Sequence, residues 1–327
     1  METKRDQCGQ LMLSRVRIAI SGCLIGAKVR YNGEHCLKKP LAALSSEHIE
    51  LIPLCPEVEA GLSVPREPIR LVRLETGKTG VFGSNSKHDY TTVLEKYSET
   101  KVASLSQMDL DAAIMKSKSP SCGMERVKVY LENGHTDVPA QGVFTSRLMK
   151  ANPLLAVEEE GRLNDLGLRE AFFTRAFATR RLKDAFTGDW TRRDVMEFHR
   201  QEKFLLLAHD EACYRELGRL VGHICDFTAD DFKTQYMNLF QLALTHKPTV
   251  SKHYNVLQHL YGFLKSSLAP NAKLLFREML VEFKELFLPL SVVMSTLKVL
   301  TKQAACGYVD SQTYLNPFPR VATFKAS

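Results

Sequence analysis

The spacing of apolar and polar positions divides the chain into two textures. In the first, short apolar runs at Val16 to Ile20, Ile49 to Leu54 and Ala112 to Met115 read as buried strands. Val127 to Leu131 is a further strand, ended by the Asn133-Gly134 turn signal, and Leu154 to Val157 is a last one. Ile69 to Leu74 alternates apolar with basic residues, the pattern of an edge strand. Between these, His35 to Ser46, Asp89 to Ala103 and Gly142 to Ala151 are helix candidates. Pro56 to Pro68 is a rigid irregular loop, and the glycine- and serine-rich Gly77 to Lys87 is an exposed turn. Strands alternating with helices predict an α/β domain with a small, mostly parallel sheet.

The texture changes at Leu166. Leu168 to Thr187, Thr191 to His209, Ala212 to Cys225, Ala229 to Thr245, Val250 to Leu268 and Asn271 to Phe287 carry leucine and phenylalanine at helical spacing. Thr191 with Asp194 gives a cap signal, and Gly188, Thr228, Pro248 and Pro270 punctuate the units. The second half is therefore predicted all-α. The tail from Tyr308, with Asn316-Pro317-Phe318-Pro319, reads as extended, either packed back across the surface or loose. The predicted domains are 14–160 and 161–310.

A length of 327 residues suits two such domains. There is no run of 18 apolar residues, so no membrane partner is expected. The polar stretch Met1 to Leu13 lacks the apolar core of a secretory signal, which predicts a cytoplasmic location. Eight cysteines in that setting are expected to be thiols or metal ligands, not a disulfide framework. The formal charge of +7 is spread over the chain, with 21 basic and 17 acidic residues in 1–150 and 23 and 20 thereafter. Arg169, Arg175, Arg180, Arg181, Lys183, Arg192 and Arg193 form a candidate basic patch for a phosphate backbone, or else a solvated helix face.

Candidate chemistry centres on Lys116 to Gly123, Lys-Ser-Lys-Ser-Pro-Ser-Cys-Gly. Cys23, Cys55 and Cys122 each follow an apolar run and enter a loop of small residues and prolines. Three thiolates at strand ends suit a zinc ion or an iron–sulfur cluster, and three buried core cysteines are the alternative. Spacing does not decide, because 31 residues separate Cys23 from Cys55 and 66 separate Cys55 from Cys122, with no close pair. A four-iron cube with three ligands leaves one iron open to a soft sulfur donor. Glu57, two residues past Cys55, is placed to move protons, and Ser119 and Ser121 to orient substrate or water. Arg30, Arg66, Lys116 and Lys118 are candidates to hold an anion, and Tyr31 to stack on a base. Cys8, Cys36, Cys213, Cys225 and Cys306 are weaker candidates, and His199 and His209 do not share a helix face. No Walker loop, Gly-x-Gly-x-x-Gly or Gly-x-Ser-x-Gly is present, which argues against nucleotide hydrolysis and the usual serine hydrolases.

Three motifs go beyond generic pattern: Cys23-x-x-Gly26-x-x-x-Arg30-Tyr31-x-Gly33; Cys55-Pro56-Glu57 followed by Gly61-Leu62-x-x-Pro65-Arg66; and Lys116-x-x-Ser119-Pro120-Ser121-Cys122-Gly123. Together they resemble the signatures of the thiouracil desulfidase (TudS, DUF523) family. Trp190, Phe198-His199, Lys203 to Leu206 and Leu217-Gly218-Arg219 resemble the DUF1722 domain. The segment from Glu160 to Asp165 matches two-domain members, and the fused form resembles bacterial tRNA 4-thiouridine desulfidases. That resemblance implies a 4Fe-4S cluster with Cys23, Cys55 and Cys122 as ligands and one open iron. It implies hydrolytic, non-redox conversion of 4-thiouridine in tRNA to uridine with release of sulfide, Glu57 and Ser119 or Ser121 moving protons. The helical half would contact tRNA phosphates, and no obligate protein partner is implied. Desulfuration of free thiouracil or another small thio-compound, a non-catalytic iron–sulfur sensor that binds nucleic acid, and a helical interaction module tethered to an inert α/β domain are the other readings.

Overall fold

A computed structural model describes residues 14–319; the polar start with Cys8 and the last residues of the tail lie outside them. It divides into two compact units, whose described parts are residues 14–180 with Pro319, and 181–318. The strands, in chain order, are β1 (Val16–Ser21), β2 (Ile49–Leu54), β3 (Ile69–Arg73), β4 (Thr79–Gly83), β5 (Ala112–Met115), β6 (Val127–Leu131), β7 (Thr136–Ala140) and β8 (Ala156–Glu159).

They form two four-stranded sheets. The first, in the order β2-β1-β5-β8, is parallel throughout. The helices Thr91–Gln107 and Val143–Ala151 contribute Val102, Leu105, Phe144 and Leu148 to a core with Ala19, Leu54 and Met115. The second, in the order β4-β3-β6-β7, is mixed, with β3 and β6 parallel and the outer pairs antiparallel. Its buried face is Ile69, Leu71, Val81, Val127 and Val129, packed with Leu94.

The second sheet corrects three expectations. β3 is an inner strand, bonded on both sides, and the edges are β4 and β7. The glycine-rich Gly77 to Lys87 stretch is only partly a turn, since Thr79–Gly83 pairs with β3. β7 was not foreseen; its Pro139 is tolerated because an edge strand can leave a backbone donor out of the ladder. The predicted helix from His35 to Ser46 shrinks to Lys39–Ala42. The N–H groups of Cys36 and Lys38 donate to the carbonyls of Cys23 and Leu24, both at 2.8 Å, so this segment is pulled against the first cysteine loop.

Helix Leu166–Ala185 leads the chain from one unit into the other. The helices Arg192–His209, Glu211–Gly222, Ala229–Thr245, Val250–Leu264, Pro270–Lys284 and Leu290–Gln303 follow. Thr191 and Asp194 form the predicted reciprocal cap. Leu290–Gln303 was not foreseen, and the tail is not simply extended. Gly307–Asp310 is helical, Tyr314 and Leu315 are buried, and the Tyr314 hydroxyl lies 2.8 Å from Nδ1 of His253. Among the described residues, no helix is long and apolar enough to cross a membrane.

The basic patch proposed from sequence is largely internal. Arg169 and Arg180 are buried, and Arg180 pairs with Asp109 and, at 3.1 Å, with Asp111. Arg175 donates to the carbonyls of Leu154 and Leu155, and Arg181 pairs with Glu202 at 2.5 Å. These arginines tie elements together instead of facing solvent.

Candidate active site

Parallel strands place their carboxyl ends on one edge, where the connecting loops form a crevice. β1 ends at Ser21 and runs into the short 3-10 turn Gly22–Ile25 that carries Cys23; Gly26, at φ 103°, closes it. β2 ends at Leu54 and delivers Cys55 as the residue capping helix Pro56–Glu59. β5 ends at Met115 and feeds the loop to Cys122. All three cysteines line one cleft of about 710 Å3 within the α/β unit. The same cleft is lined by Glu57, Ser119, Ser121, Arg30, Tyr31, Arg66, Lys116 and Lys118.

Each loop is fixed by specific bonds. The backbone N–H of Cys55 donates to Glu59 at 2.8 Å, and Glu59 is held by the Tyr97 hydroxyl at 2.7 Å and Lys101 at 2.8 Å. The Cys122 loop sits on the start of helix Val143–Ala151. Phe144 N–H donates to Ser121 O at 3.0 Å, and the Thr145 hydroxyl donates to Cys122 O at 2.6 Å. Gly142 must be small here, because a Cβ would meet Ser121 backbone at 2.6 Å.

Two carboxylates missed from sequence suspend that loop from both ends. Glu160, just past β8, accepts from Lys116 Nζ at 2.5 Å and from Ser117 N–H at 2.7 Å. Glu159 accepts from Met124 N–H at 2.8 Å. Burial opposes the Glu160 charge, but its bonds to Lys116 and Ser117 hold the carboxyl below the ordinary carboxylate value. The available signal was the unbroken run Glu158-Glu159-Glu160 directly after an apolar strand. Lys116 is thereby committed to Glu160, so its ammonium is not a free anion-binding group.

Glu57 and the two serines form a continuous chain. Glu57 Oε2 accepts from Arg66 Nε at 3.1 Å and Oε1 from the Ser121 hydroxyl at 2.7 Å. Arg66 also donates to the carbonyl of Val29 at 3.1 Å and so anchors the first loop. Ser119 Oγ lies 3.0 Å from Ser121 Oγ and accepts from the Cys122 N–H at 3.1 Å. With its acceptor sites facing backbone N–H groups, the Ser119 hydroxyl is free to donate to Ser121, which donates to Glu57. Ser121 is buried and Ser119 only partly so. The Arg30 guanidinium lies 5.4 Å from the centre of the Tyr31 ring, and Tyr31 and Lys118 are exposed.

At the thiols burial outweighs the neighbouring cations, Lys116 beside Cys23 and Arg66 beside Cys55. Burial, followed by the neighbouring Cys36 and Cys55 thiols, pushes Cys23 up to about 12. Burial dominates at Cys122 as well, also to about 12, with Glu57 and Cys55 adding to it, and it raises Cys55. Each is a thiol until a cationic centre takes it as thiolate. Among the described residues no three His, Cys, Asp or Glu side chains gather closely enough for a single metal ion. Cys36 adjoins Cys23 but does not line the cleft, and Cys213, Cys225 and Cys306 lie in the helical unit. Sequence reasoning also passed over Arg70, Lys128 and Tyr130, which form one wall of the cleft.

Comparison with known proteins follows the same division. Residues 18–160 match the family model of 2-thiouracil desulfurase, and residues 203–319 match DUF1722, a family of unknown function. The uncharacterized protein YbbK of Bacillus subtilis (strain 168) is 30% identical over 157 residues, 46% of this chain and 99% of that protein. The uncharacterized protein YbgA of Escherichia coli (strain K12) is 25% identical over 154 residues, 47% of this chain and 91% of that protein. A solved structure of the 4Fe-4S-dependent thiouracil desulfidase TudS is 29% identical, covers 47% of this chain and 97% of its own, and superposes with a TM-score of 0.38.

Proposed function

The chain belongs to the 2-thiouracil desulfurase family, and from that premise we propose that it hydrolyses the C–S bond of 4-thiouridine in tRNA, giving uridine and sulfide. The observation that carries this reading is the opening of Cys23, Cys55 and Cys122 onto one cleft beside the Glu57–Ser121–Ser119 chain. Three thiols spread around a volume suit a cluster, whose ligands sit at separate corners, better than a single ion. Cys23, Cys55 and Cys122 would hold a 4Fe-4S cluster, which would supply an iron without a protein ligand, a soft Lewis acid toward sulfur.

The chain's own residues do the rest. Glu57 takes the proton of the water that adds to the pyrimidine carbon, through the Ser121 hydroxyl at 2.7 Å. Ser119 holds Ser121 in line, and its own position is fixed by the Cys122 N–H. Arg66 keeps Glu57 pointed at Ser121 through its two-nitrogen contact. Protons then return from this chain to the departing sulfur, so that water and thiocarbonyl become carbonyl and hydrogen sulfide with no electron transferred.

The test is anaerobic reconstitution followed by incubation with tRNA containing 4-thiouridine. Uridine should form with stoichiometric sulfide, and Cys23→Ala, Cys55→Ala and Cys122→Ala should each abolish it together with the cluster absorbance. A reconstituted protein that leaves the tRNA unchanged sinks the proposal. Turnover of free thiouracil alone would select the second reading, which is favoured by one fact: every residue of the site lies in the α/β unit.

A further inference from the structure

Cys55 is gripped from outside the cleft by a carboxylate that the proposed chemistry does not use. It caps the four-residue helix Pro56–Glu59, and the side chain of Glu59 turns back to it. Glu59 Oε1 accepts from the Cys55 N–H at 2.8 Å, and the Glu59 N–H donates to the Cys55 carbonyl at 2.9 Å. Both main-chain polar groups of the cysteine are therefore tied to one residue. Glu59 Oε2 accepts from the Tyr97 hydroxyl at 2.7 Å and from Lys101 Nζ at 2.8 Å. Tyr97 and Lys101 stand four residues apart on helix Thr91–Gln107, one turn from each other, so that helix holds the carboxylate by its second oxygen. Glu59, Tyr97 and Lys101 do not line the cleft.

The charges in this clamp have an order. The negative end, Glu59, is bonded to the cysteine, and the positive end, Lys101, to the far oxygen. Burial opposes the Glu59 charge, but the bonds from Lys101, Tyr97 and the Cys55 N–H hold its carboxyl below the ordinary carboxylate value, so it is ionised at neutral pH. Burial first, then Glu59 and the Cys55 and Cys122 thiols, push the Tyr97 phenol above its ordinary value, which keeps the hydroxyl a donor to Glu59. Tyr97 is set there by packing on Phe144, ring centres 6.4 Å apart. Net charge near its ligands is one of the factors that set the potential of an iron–sulfur cluster, and fixed negative charge makes it harder to reduce. A reaction that moves no electron has no use for a cluster that accepts one, and an added electron would make an open iron a poorer acceptor of a sulfur lone pair.

We infer that Glu59, held by Tyr97 and Lys101, is a positioning residue for the metal centre: it fixes the Cys55 loop and biases the cluster against reduction. This rests on the reading in which Cys23, Cys55 and Cys122 hold a 4Fe-4S cluster. The clamp thereby favours hydrolytic chemistry from outside the cleft.

The test is the reduction potential of the reconstituted full-length protein, followed anaerobically by cluster absorbance against a series of redox dyes. Glu59→Gln removes the charge but leaves an amide oxygen for the Cys55 N–H, and should move the potential upward. Lys101→Met removes the compensating charge and should move it downward. Glu99→Gln, at an exposed carboxylate of the same helix paired with Arg147 at 2.7 Å, should match the wild type. Glu59→Ala, which loses the clamp as well as the charge, should release iron to a chelator severalfold faster than the wild type. Opposite shifts in Glu59→Gln and Lys101→Met uphold the inference, and the Lys101→Met shift alone decides it where Glu59→Gln binds no iron. A purely structural clamp would speed iron release and leave both potentials at the wild-type value; that result, or a shift in Glu99→Gln as large as in Glu59→Gln, overturns it. A wild-type protein that takes up no cluster removes the proposed metal centre itself, whereas a wild-type cluster with unmoved variants removes only the role of Glu59.

Discussion

Arg181 and Glu202 in the helical unit, and Arg66 and Glu57 in the α/β unit, are both arginine–carboxylate pairs, with side-chain exposures of 12% and 1% against 7% and 13%. Their surroundings differ. Arg181 contacts both oxygens of Glu202, its remaining nitrogen donates to Pro317 O, and the Thr313 hydroxyl donates to Glu202. Every bond turns inward and fastens the carboxyl-terminal segment. Around Glu57, only Oε2 is taken by arginine, and Oε1 leads through two hydroxyls along the cleft wall. A buried charge serves structure when its bonds close on themselves and can serve chemistry when one of them leads to a cavity.

Substituting each carboxylate tests that contrast. Glu57→Gln should cut sulfide release by about a hundredfold or more, with the cluster absorbance retained. Glu202→Ala should leave Arg181 buried without its partner and cost about 3–5 kcal/mol in denaturant unfolding of the helical unit. Should Glu202→Gln depress turnover as deeply as Glu57→Gln in a protein with unchanged melting, the contrast fails. A finer division lies within the hydroxyl chain. Ser121→Ala, which removes the direct contact to Glu57, should reduce turnover more than Ser119→Ala, which removes a support behind it; the reverse order would make Ser119 the hydroxyl that meets the substrate.

The smallest effect concerns acid. His199 and His253 are partly buried beside the hydroxyls of Tyr236 and Tyr314, and the loss of solvent around them holds both imidazoles down to about 4, helped at His199 by the Lys203 charge. The folded chain refuses protons that the unfolded chain accepts at its ordinary value of about 6.5. This part of the stability is complete above that value and is lost as pH falls toward about 4. The melting temperature of His253→Asn should therefore decline less steeply than wild type across that window, and parallel declines would refute the assignment.

The cysteine loops were legible because a short apolar run stopped by small residues and proline is a local pattern, and Cys23, Cys55 and Cys122 all carry it. The helix at Thr191 was legible for the same reason, since its cap is written within four residues. The second sheet was not. β4 hides in Gly77 to Lys87 because its glycines serve tertiary packing: a Cβ at Gly80 would meet the Phe82 ring and the Thr91 hydroxyl at 2.7 Å. That requirement appears only once helix Thr91–Gln107 lies alongside. The predicted arginine patch failed for a related reason, as charge on a helix does not reveal the distant carboxylates, such as Asp111 and Glu202, that bury it. Arg70, Lys128 and Tyr130 were within reach, since β3 and β6 both alternate, but their shared face depends on a pairing across more than fifty residues.

The suspension of the Cys122 loop from Glu159 and Glu160 also sets a rule for cutting and transplanting this module. The residues that hold its Cys122 loop in shape come last in its sequence, at the point where the 2-thiouracil desulfurase match ends, residue 160. A graft trimmed a few residues earlier would keep all three cysteines, Glu57 and both serines, yet lose the hooks at both ends of the loop. The smallest portable unit is thus defined by its final two carboxylates as much as by the thiols it is built to present.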